Sequence, residues 1–282
     1  MTDQSQSPWG GDRLDVDAYL TRIGYAGERT PTLETLRALH AAHTAAVGFE
    51  NLDIVLGRPI LLDLEALQDK LVTRRRGGYC YEQNLLYAAA LDRLGFDVSG
   101  LGARIRMGED KVRAVTHALL KVTLDGEEWI TDVGFGGEGL LEPVPLRAGV
   151  ETRHGGWTFG LVQEERTGLW VLRSLHDDGW FDLYAFGPEV RYPADYQVFN
   201  HYISTHPRSP FTGRLVVQRP EPQLRRTLIG TELTLTRPDW SRETRQVAPE
   251  ELPELLARDF AIELSEEDAA ALVKFQQVAR GD

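Results

Sequence analysis

The sequence predicts an α+β fold, in which a helical N-terminal third is followed by a long run of strands and by a mixed C-terminal section. Three observations support this prediction. Apolar residues recur at helical spacing as far as Leu94, short β-branched or alternating segments begin after Phe96, and both patterns return after Arg214. Because helices and strands are grouped rather than alternating, the order argues against a Rossmann fold or another βαβ arrangement.

The first third of the chain contains four predicted helices, and Thr32 and Asp63 are suited to cap the second and the third. These helices cover residues 16–23, 33–47 and 64–72 and a segment that begins at Cys80. Residues 1–11 are polar and rich in Ser, Gln and Asp, and they are predicted to form a frayed tail.

The rest of the chain is predicted to be mainly a sheet, with a hairpin turn at Asp125-Gly126 and a Gly- and Pro-rich loop over residues 134–145. The predicted strands are 98–105, 114–124, 128–133, 157–163, 169–175, 181–186, 214–217 and 227–235. The predicted helices are 194–204, 249–258 and 265–278.

The composition is that of an ordinary globular protein, because 42% hydrophobic residues among 282 exclude an extensively disordered chain. The formal net charge of -12 argues against a general nucleic-acid binder, although a small anionic ligand would respond to local groups instead. No apolar run reaches membrane-spanning length, so no membrane association is expected. With one cysteine and no apolar leader segment, the protein is expected in the reducing cytoplasm.

Cys80 follows the glycine turn Gly77-Gly78 and begins a buried helical pattern. There the unpaired N–H groups and the positive end of the helix dipole favour an anion, and hence the thiolate form of the side chain. Three arginines at positions 74–76 add positive charge that also favours the thiolate. One of them, Arg76, is a hypothetical partner of Glu50. Because free cysteines are usually small buried hydrophobes, this position alone leaves both a reactive and an inert thiol open.

His117 differs from the other histidines in its setting. It lies in a predicted strand before the Asp125-Gly126 turn, and Asp132 lies in the returning strand, so hairpin pairing can bring them within hydrogen-bond reach. Such a pair is structural more often than not. However, a cysteine nucleophile needs a histidine base and a group that orients that base, so Cys80, His117 and Asp132 together form a hypothetical triad.

The six remaining histidines are predicted to have packing, surface or capping roles. They are His40 and His43 on the second helix, and His154, His176, His201 and His206 in turns or beside proline. Their spread through the chain gives no metal-ligand spacing, so no metal site is predicted.

The glycine-rich segment 134–139 follows a strand but leads into Pro143 and Pro145 rather than into a helix. It therefore lacks the context of a dinucleotide-binding fingerprint, and it also lacks the Lys-Ser/Thr of a P-loop. A flexible connection and a group of backbone N–H donors beside a pyrophosphate both remain open for this segment.

The run from Arg75 to Asn84, Arg-Arg-Gly-Gly-Tyr-Cys-Tyr-Glu-Gln-Asn, resembles the nucleophile motif of the arylamine N-acetyltransferase family of the prokaryotic type. Four further stretches match that family in order, at residues 47–52, 116–120, 131–136 and 204–211. There are two departures. Gly48 stands where the family usually has proline, and the segment between His117 and Asp132 is slightly short.

The resemblance implies a three-part fold with a catalytic core similar to that of cysteine proteases and transglutaminases. Residues 1–94 would form a helical bundle that carries the nucleophile, residues 95–204 an antiparallel β-barrel-like domain that carries the His and Asp, and residues 205–282 an α/β lid. It also implies Cys80, His117 and Asp132 as the catalytic triad. By the same matching, Phe49, Phe135 and Phe211 would line an aromatic acceptor pocket, and Thr116, Gly136 and Gly137 would neighbour the coenzyme A arm.

The implied activity is transfer of an acetyl group from acetyl-CoA to arylamines or arylhydrazines, by a ping-pong mechanism through an acetyl-Cys80 thioester. Acetyl-CoA would be a co-substrate, with no permanently bound cofactor and no metal. Two alternatives keep the same nucleophile: an amide synthase that takes an acyl chain from a carrier protein, and a cysteine hydrolase of the papain or transglutaminase kind. A non-enzymatic thiol sensor is the remaining alternative, and it requires neither the His/Asp pair nor an aromatic pocket.

Overall fold

The structure is a computed structural model that describes residues 7–280. Its helices are α1 (Val16–Ile23), α2 (Leu33–Ala46), α3 (Leu52–Val55), α4 (Leu64–Leu67), α5 (Cys80–Arg93), α6 (Pro193–Thr205), α7 (Leu252–Phe260) and α8 (Glu266–Arg280). Its strands are β1 (Phe49–Glu50), β2 (Asp97–Ile105), β3 (His117–Leu124), β4 (Glu127–Thr131), β5 (Val144–Pro145), β6 (Val150–His154), β7 (Trp157–Gln163), β8 (Trp170–His176), β9 (Gly179–Phe186), β10 (Val216–Glu221), β11 (Leu224–Ile229), β12 (Glu232–Thr236) and β13 (Arg242–Gln246). Shorter turns are the π-helical Gln68–Thr73 and the 3₁₀-helical Gly11–Arg13 and Pro249–Glu251. Among these described residues, no helix is long and apolar enough to cross a membrane.

Helix α5 is the centre of the N-terminal part, and nearly all of its residues are buried. Leu86, Ala89 and Ala90 belong to the same core as Tyr19 of α1 and Leu36 of α2. The first two turns of α5 also bury Glu82 and Asn84, which are polar. Because buried polar groups require partners, these turns are where interactions of functional interest are expected.

Eight antiparallel strands form a nearly closed barrel, in the order β5-β4-β3-β2-β9-β8-β7-β6. Inward-facing residues of neighbouring strands share one core, which includes Leu119, Ile130, Phe159 and Leu172. The edge strands β5 and β6 are short.

The β3–β4 hairpin positions the predicted His/Asp pair. Both turn residues have positive φ, 51° at Asp125 and 82° at Gly126, as in a type I′ turn, which confirms the predicted turn. The strands are shorter than predicted, because β3 begins only at His117 and β4 ends at Thr131. His117 therefore lies at the open end of the hairpin, and Asp132 directly follows the last residue of β4.

The second sheet has the order β1-β10-β11-β12-β13, so a strand from the N-terminal part joins the C-terminal strands. One face buries Val217, Leu228 and Leu233 in a core with helices α7 and α8. Gln218 and Thr227 are the neighbours of Val217 and Leu228 along β10 and β11, and they pair with each other. Because side chains alternate along a strand, they point to the opposite face. That face is turned toward the cleft described below.

Two predicted segments have a different structure. Predicted helix 64–72 is α4 followed by the π-helical turn Gln68–Thr73, which places Lys70 in the interior where two carboxylates hold it. Predicted strand 227–235 is instead two strands, β11 and β12, because Gly230 with φ 60° reverses the chain between them.

The structure also contains elements that the sequence analysis missed, namely α3, β1, β5, β6 and β13. Most are too short to show a period, and β13 is exposed along its whole length, so it lacks an alternating pattern.

Residues 7–11 contradict the predicted frayed tail. The Trp9 side chain is buried and its indole Nε1 donates a hydrogen bond to Val98 O at 3.1 Å. The N–H of Gly11 donates to Asp92 Oδ2 at 3.0 Å. The part of the prediction that concerns residues 1–6 lies outside the described residues.

Candidate active site

Cys80 is the first residue of α5 and is 5% exposed. Its N–H therefore belongs to the group of first-turn donors that have no partner within the helix, and the positive end of the helix dipole lies at its side chain. The Cα of Cys80 lies so close to Gly134 that a Cβ added at Gly134 would stand 2.7 Å from it. The glycine-rich loop after Asp132 thus packs directly on the cysteine.

The turn before Cys80 requires its glycines. A Cβ at Gly77 would stand 2.3 Å from Gly48 O, and one at Gly78 would stand 2.9 Å from atoms of Glu82. The N–H of Gly78 donates to Gly48 O at 3.2 Å, and the N–H of Glu50 donates to Gly78 O at 3.1 Å. These two hydrogen bonds fix the cysteine turn against the segment that begins β1.

A buried group of charges lies beneath this turn. Lys70 Nζ bridges Asp53 Oδ2 at 2.6 Å and Glu82 Oε1 at 2.7 Å. Glu82 also accepts the N–H of Tyr79 at 3.0 Å, which caps the helix that begins at Cys80. Burial raises the pKa of Glu82, and the nearby Lys70 ammonium partly offsets that effect.

The hypothetical pair of Arg76 and Glu50 is present in the same buried group. Arg76 Nη2 lies 2.9 Å from Glu50 Oε1, and both side chains are almost fully buried. Arg76 also approaches Asp53 at 3.5 Å and Asp268 of α8 at 3.7 Å. The Arg76–Asp268 ion pair therefore connects α8 to the turn that precedes Cys80.

His117 and Asp132 form a short hydrogen bond, with His117 Nε2 2.7 Å from Asp132 Oδ2. Both side chains are buried. The Cys80 thiol lies near enough to the imidazole to raise the pKa of His117, and since Asp132 occupies Nε2, Nδ1 is the ring nitrogen left for the sulfur. The structure thus brings together the three residues of the hypothetical triad.

The charged form of His117 is favoured in this setting. Burial lowers the pKa of His117, but the Asp132 carboxylate and the Cys80 thiol outweigh it and raise that pKa to about 10. Burial raises the pKa of Asp132, but His117, Asn84 and the Gly134 N–H together hold it below its ordinary value. An imidazolium between a carboxylate and a sulfur can stabilise a thiolate without a metal ion.

Asn84 and Tyr184 are site residues that the sequence analysis missed. Asn84 Nδ2 donates to Asp132 Oδ1 at 3.0 Å, and the Tyr184 ring lies 5.1 Å from the imidazole of His117. Asn84 follows Cys80 by four residues, which is the spacing that places two side chains on one helix face. That spacing could have identified Asn84, whereas no local signal connects Tyr184 on β9 with His117.

A cleft of about 700 Å³ opens onto Cys80 and His117. The three predicted phenylalanines, Phe49, Phe135 and Phe211, all line it. Phe49 and Phe211 pack with ring centroids 5.7 Å apart, and Phe135 meets the His117 ring edge-on at 5.2 Å. The cysteine therefore lies at the bottom of a cleft with aromatic walls.

The three predicted neighbours of coenzyme A are placed differently from one another. Thr116 and Gly137 line the cleft. Gly136 instead packs against β1 and β10, where an added Cβ would stand 2.2 Å from Gln218 Oε1 and 3.1 Å from Phe49. Gly137 donates its N–H to the same Gln218 oxygen at 3.0 Å, so this backbone donor is already occupied.

Three of the six histidines outside the triad are buried. His40 and His43 are inaccessible on α2, which fits the packing role, and His154, predicted to be a surface or cap residue, is 1% exposed and accepts the Leu141 N–H. Burial lowers the pKa of His40 to about 4 and the pKa of both His43 and His154 to about 3. Within residues 7–280, no group of three or more His, Cys, Asp or Glu side chains could hold a metal ion.

Comparison with known proteins places this site in a family. A family model described as N-acetyltransferase matches residues 32–269. The arylamine N-acetyltransferase / N-hydroxyarylamine O-acetyltransferase of Salmonella typhimurium is 40% identical over 224 residues, which cover 78% of this chain and 76% of that protein.

Solved structures agree with the sequence comparison. The crystal structure of Nocardia farcinica arylamine N-acetyltransferase superposes with a TM-score of 0.89 at 51% identity, over 94% of this chain and 95% of the other. The Mycobacterium marinum arylamine N-acetyltransferase in complex with CoA superposes with a TM-score of 0.85 at 34% identity, over 94% and 98% of the two chains. The chain therefore belongs to the arylamine N-acetyltransferase family.

Proposed function

We propose that this protein transfers an acetyl group from acetyl-CoA to aromatic amines and hydrazines through an acetyl-Cys80 thioester. The observation that carries the proposal is the short His117–Asp132 hydrogen bond beside Cys80 in a cleft with aromatic walls. The relatives' names state arylamine acetylation, and the Mycobacterium marinum enzyme binds CoA. In this proposal acetyl-CoA is a co-substrate that enters and leaves.

In the first step the Cys80 thiolate attacks the carbonyl carbon of the acetyl thioester. The tetrahedral oxyanion that forms is stabilised by backbone N–H donors at the start of α5, each of which contributes about 3 to 4 kcal/mol to a transition state of this kind. The carbon–sulfur bond to coenzyme A then breaks, and His117 donates its proton to the departing thiolate. One thioester replaces another, so this step is readily reversible.

In the second step the amine enters the cleft that coenzyme A has left. Its nitrogen attacks the acetyl carbon on Cys80, and His117, now neutral, accepts the proton that the nitrogen loses. The Cys80 thiolate leaves, which restores its ion pair with the imidazolium. Asp132 holds the imidazole in the required tautomer throughout, because its carboxylate accepts a hydrogen bond from Nε2–H.

The aromatic walls suit a flat acceptor. Phe49, Phe211 and Phe135 can each contact an arylamine ring edge-on or stacked, and such contacts contribute about 0.5 to 1.5 kcal/mol per pair beyond area burial. Arylamines are weak bases that enter uncharged, so the acceptor brings no ammonium charge into a cleft with aromatic walls.

The proposal includes the arrangement of parts around the cleft. The bundle of residues 1–94 carries the nucleophile, the barrel of 95–204 carries the base and its orienting carboxylate, and 205–282 acts as a lid. Contacts of Ser209, Phe211 and Gln218 with the cleft support the lid role. In this proposal the core is similar to that of cysteine proteases and transglutaminases, because Cys80 at the start of a helix faces His117 on a strand.

Steady-state kinetics test this function. Initial rates of aniline acetylation are measured while acetyl-CoA and the amine are both varied. Because coenzyme A leaves before the amine binds, we expect parallel double-reciprocal lines. Discharge to water as fast as to the amine would indicate a cysteine hydrolase, and turnover only with an acyl carrier protein would indicate an amide synthase.

A further inference from the structure

One face of the C-terminal sheet forms a floor of the cleft. Residues of β10, β11 and β12 that pair across this face also line the cleft, including Gln218 with Thr227 and Arg225 with Thr236. Residues two apart on a strand point to the same face, so Arg225 and Thr227 of β11 face the cleft together.

Arg225 differs from the other arginines that line the cleft. It is 3% exposed, whereas Arg113, Arg208, Arg214 and Arg242 are exposed. Two aromatic rings pack beside its guanidinium, with the guanidinium carbon 3.7 Å from the Trp157 ring centroid and 5.4 Å from that of Trp240. The donors of a stacked guanidinium point outward from its edges, where an anion can bind.

The edges of the Arg225 guanidinium have unused donors. Among residues 7–280, Nε, Nη1 and Nη2 of this side chain have no hydrogen-bond partner. The nearest carboxylate oxygen, Glu138 Oε2, is 3.5 Å from Nη1, and it already accepts from Ser174 at 2.8 Å and contacts His176 at 3.0 Å. These donors are buried, and a buried guanidinium without hydrogen bonds is unfavourable, so an oxyanion that reached them from the cleft would gain charge-assisted hydrogen bonds.

The charge of the cleft also favours an anion, although the chain as a whole has a net charge of -12. Five arginines line the cleft, and Glu138 is the one carboxylate among its described lining residues. Local charge of this kind attracts an anionic ligand regardless of the net charge of the protein.

We propose that Arg225 binds a phosphate group of the acyl donor in the cleft that contains Cys80. This inference rests on the proposed function, because it assumes that the donor is a phosphorylated pantetheine thioester. The donor brings its thioester to Cys80 and its phosphate to the guanidinium edge, where charge-assisted and bidentate hydrogen bonds form. The Trp157 ring, against which the guanidinium packs at 3.7 Å, holds it in place for that contact.

The position of Arg225 fits the length of such a donor. Phe49 of β1, beside the cysteine turn, pairs with Gln218 of β10, and Gln218 pairs with Thr227 of β11. Arg225 lies two residues before Thr227 on the same strand. From ordinary strand spacing this path covers roughly 12 Å of sheet. A pantetheine arm separates the thioester from the first phosphate by a long flexible chain, so both ends can be held at once.

Single-turnover acetylation of Cys80 by four donors tests the proposal. The donors are acetyl-CoA, acetyl-dephospho-CoA, S-acetyl-4′-phosphopantetheine and S-acetylpantetheine, of which the last has no phosphate. We expect the parent protein to favour its best phosphorylated donor over S-acetylpantetheine by roughly 10- to 100-fold. Arg225→Gln should remove that preference by slowing only phosphorylated donors. The two intermediate donors show whether the phosphate involved is on the pantetheine arm or on the nucleotide.

Arg173→Gln is the matched control, because Arg173 stacks on Trp180 at 4.9 Å but does not line the cleft. This variant should keep the parent's preference. If Arg225→Gln slowed all four donors equally, Arg225 would have a packing role only, and if it kept the preference, the phosphate would bind elsewhere. If no donor acetylated Cys80 of the parent protein, the proposed function itself would fail.

A second variant tests the proposal without removing the arginine. Glu138→Gln retains the shape of the side chain but removes the carboxylate that faces Arg225. Since that carboxylate repels a phosphate, the preference for phosphorylated donors should increase several-fold. An unchanged or smaller preference in a folded Glu138→Gln protein would overturn the assignment.

Discussion

Asn84 connects helix α5, which begins at Cys80, to the Asp132 carboxylate that contacts His117, because its side-chain amide donates to Asp132 Oδ1 at 3.0 Å. The same amide donates to Ala118 O at 2.8 Å, and its carbonyl oxygen accepts the Val133 N–H at 3.2 Å. Asn84 therefore holds β3 and the segment directly after β4 against α5. The relative position of Cys80 and His117 depends on this one side chain as well as on the barrel.

Asn84→Ala should slow acetylation of Cys80 about 10- to 100-fold, because a hydrogen bond to a charged group contributes about 1.5 to 3 kcal/mol. The rate is measured by mass spectrometry of single-turnover samples. Tyr87→Phe is the control on the same helix, since the Tyr87 hydroxyl bonds Leu36 O rather than the site. Equal rates for Asn84→Ala and the parent protein would show that the barrel alone positions Asp132.

Gly77→Ala should destabilise the protein strongly, whereas Gly48→Ala should be tolerated. A Cβ added at Gly77 would stand 2.3 Å from a backbone oxygen, but at Gly48 the nearest heavy atom is 3.5 Å away. Urea unfolding of both variants measures the difference, and a stable Gly77→Ala protein would contradict the described turn.

Glu50→Gln should lower the free energy of unfolding by about 3 kcal/mol, because it leaves the buried Arg76 without its nearest carboxylate. The exposed pair of Arg13 and Glu65 provides the comparison, and Glu65→Gln should leave stability nearly unchanged. Both values come from urea unfolding at neutral pH. If Glu50→Gln left stability and activity unchanged, the pair with Arg76 would have no role in holding the cysteine turn.

The buried histidines predict a loss of stability in mild acid. The pKa of His40 is about 4 and the pKa of His43 and of His154 is about 3, all below the ordinary 6.5 of an unfolded chain. The unfolded state therefore binds protons first as pH falls below 6.5. Each histidine then lowers stability by about 1.4 kcal/mol per pH unit until the pH reaches its folded pKa.

Urea unfolding between pH 6 and pH 4.5 measures this effect as an uptake of about three protons on unfolding. His154→Gln should reduce the uptake by one proton. A pH-independent free energy of unfolding over this interval would show that these histidines are charged in the folded protein.

The sequence was sufficient to predict the elements with strong periodicity and the residues with local motifs. Helix α1 has the predicted bounds, and Cys80 begins its helix because the glycine turn before it is a local signal. The β3–β4 turn was readable from Asp125-Gly126, and it predicted that His117 and Asp132 would be neighbours.

The missed features depend on contacts between distant segments. Lys70 was assigned to an ordinary helix, but two carboxylates on other elements hold it in a π-helical turn. Trp9 was assigned to a tail, but the β2 carbonyl of Val98 accepts its indole N–H. Nothing in the local sequence singles out Arg225, and only the folded protein packs it against aromatic rings from two parts of the chain.

Mapping of an acetyl group after one turnover tests the central claim most directly. The protein is mixed with acetyl-CoA without amine, digested and analysed by mass spectrometry, and then the remainder is treated with aniline. We expect one acetyl group on Cys80 that aniline removes as acetanilide. Asp132→Asn should fold normally but acquire the group ~10³- to 10⁴-fold more slowly. An acetyl group found elsewhere, or product formed by Cys80→Ala at the parent rate, would contradict the account.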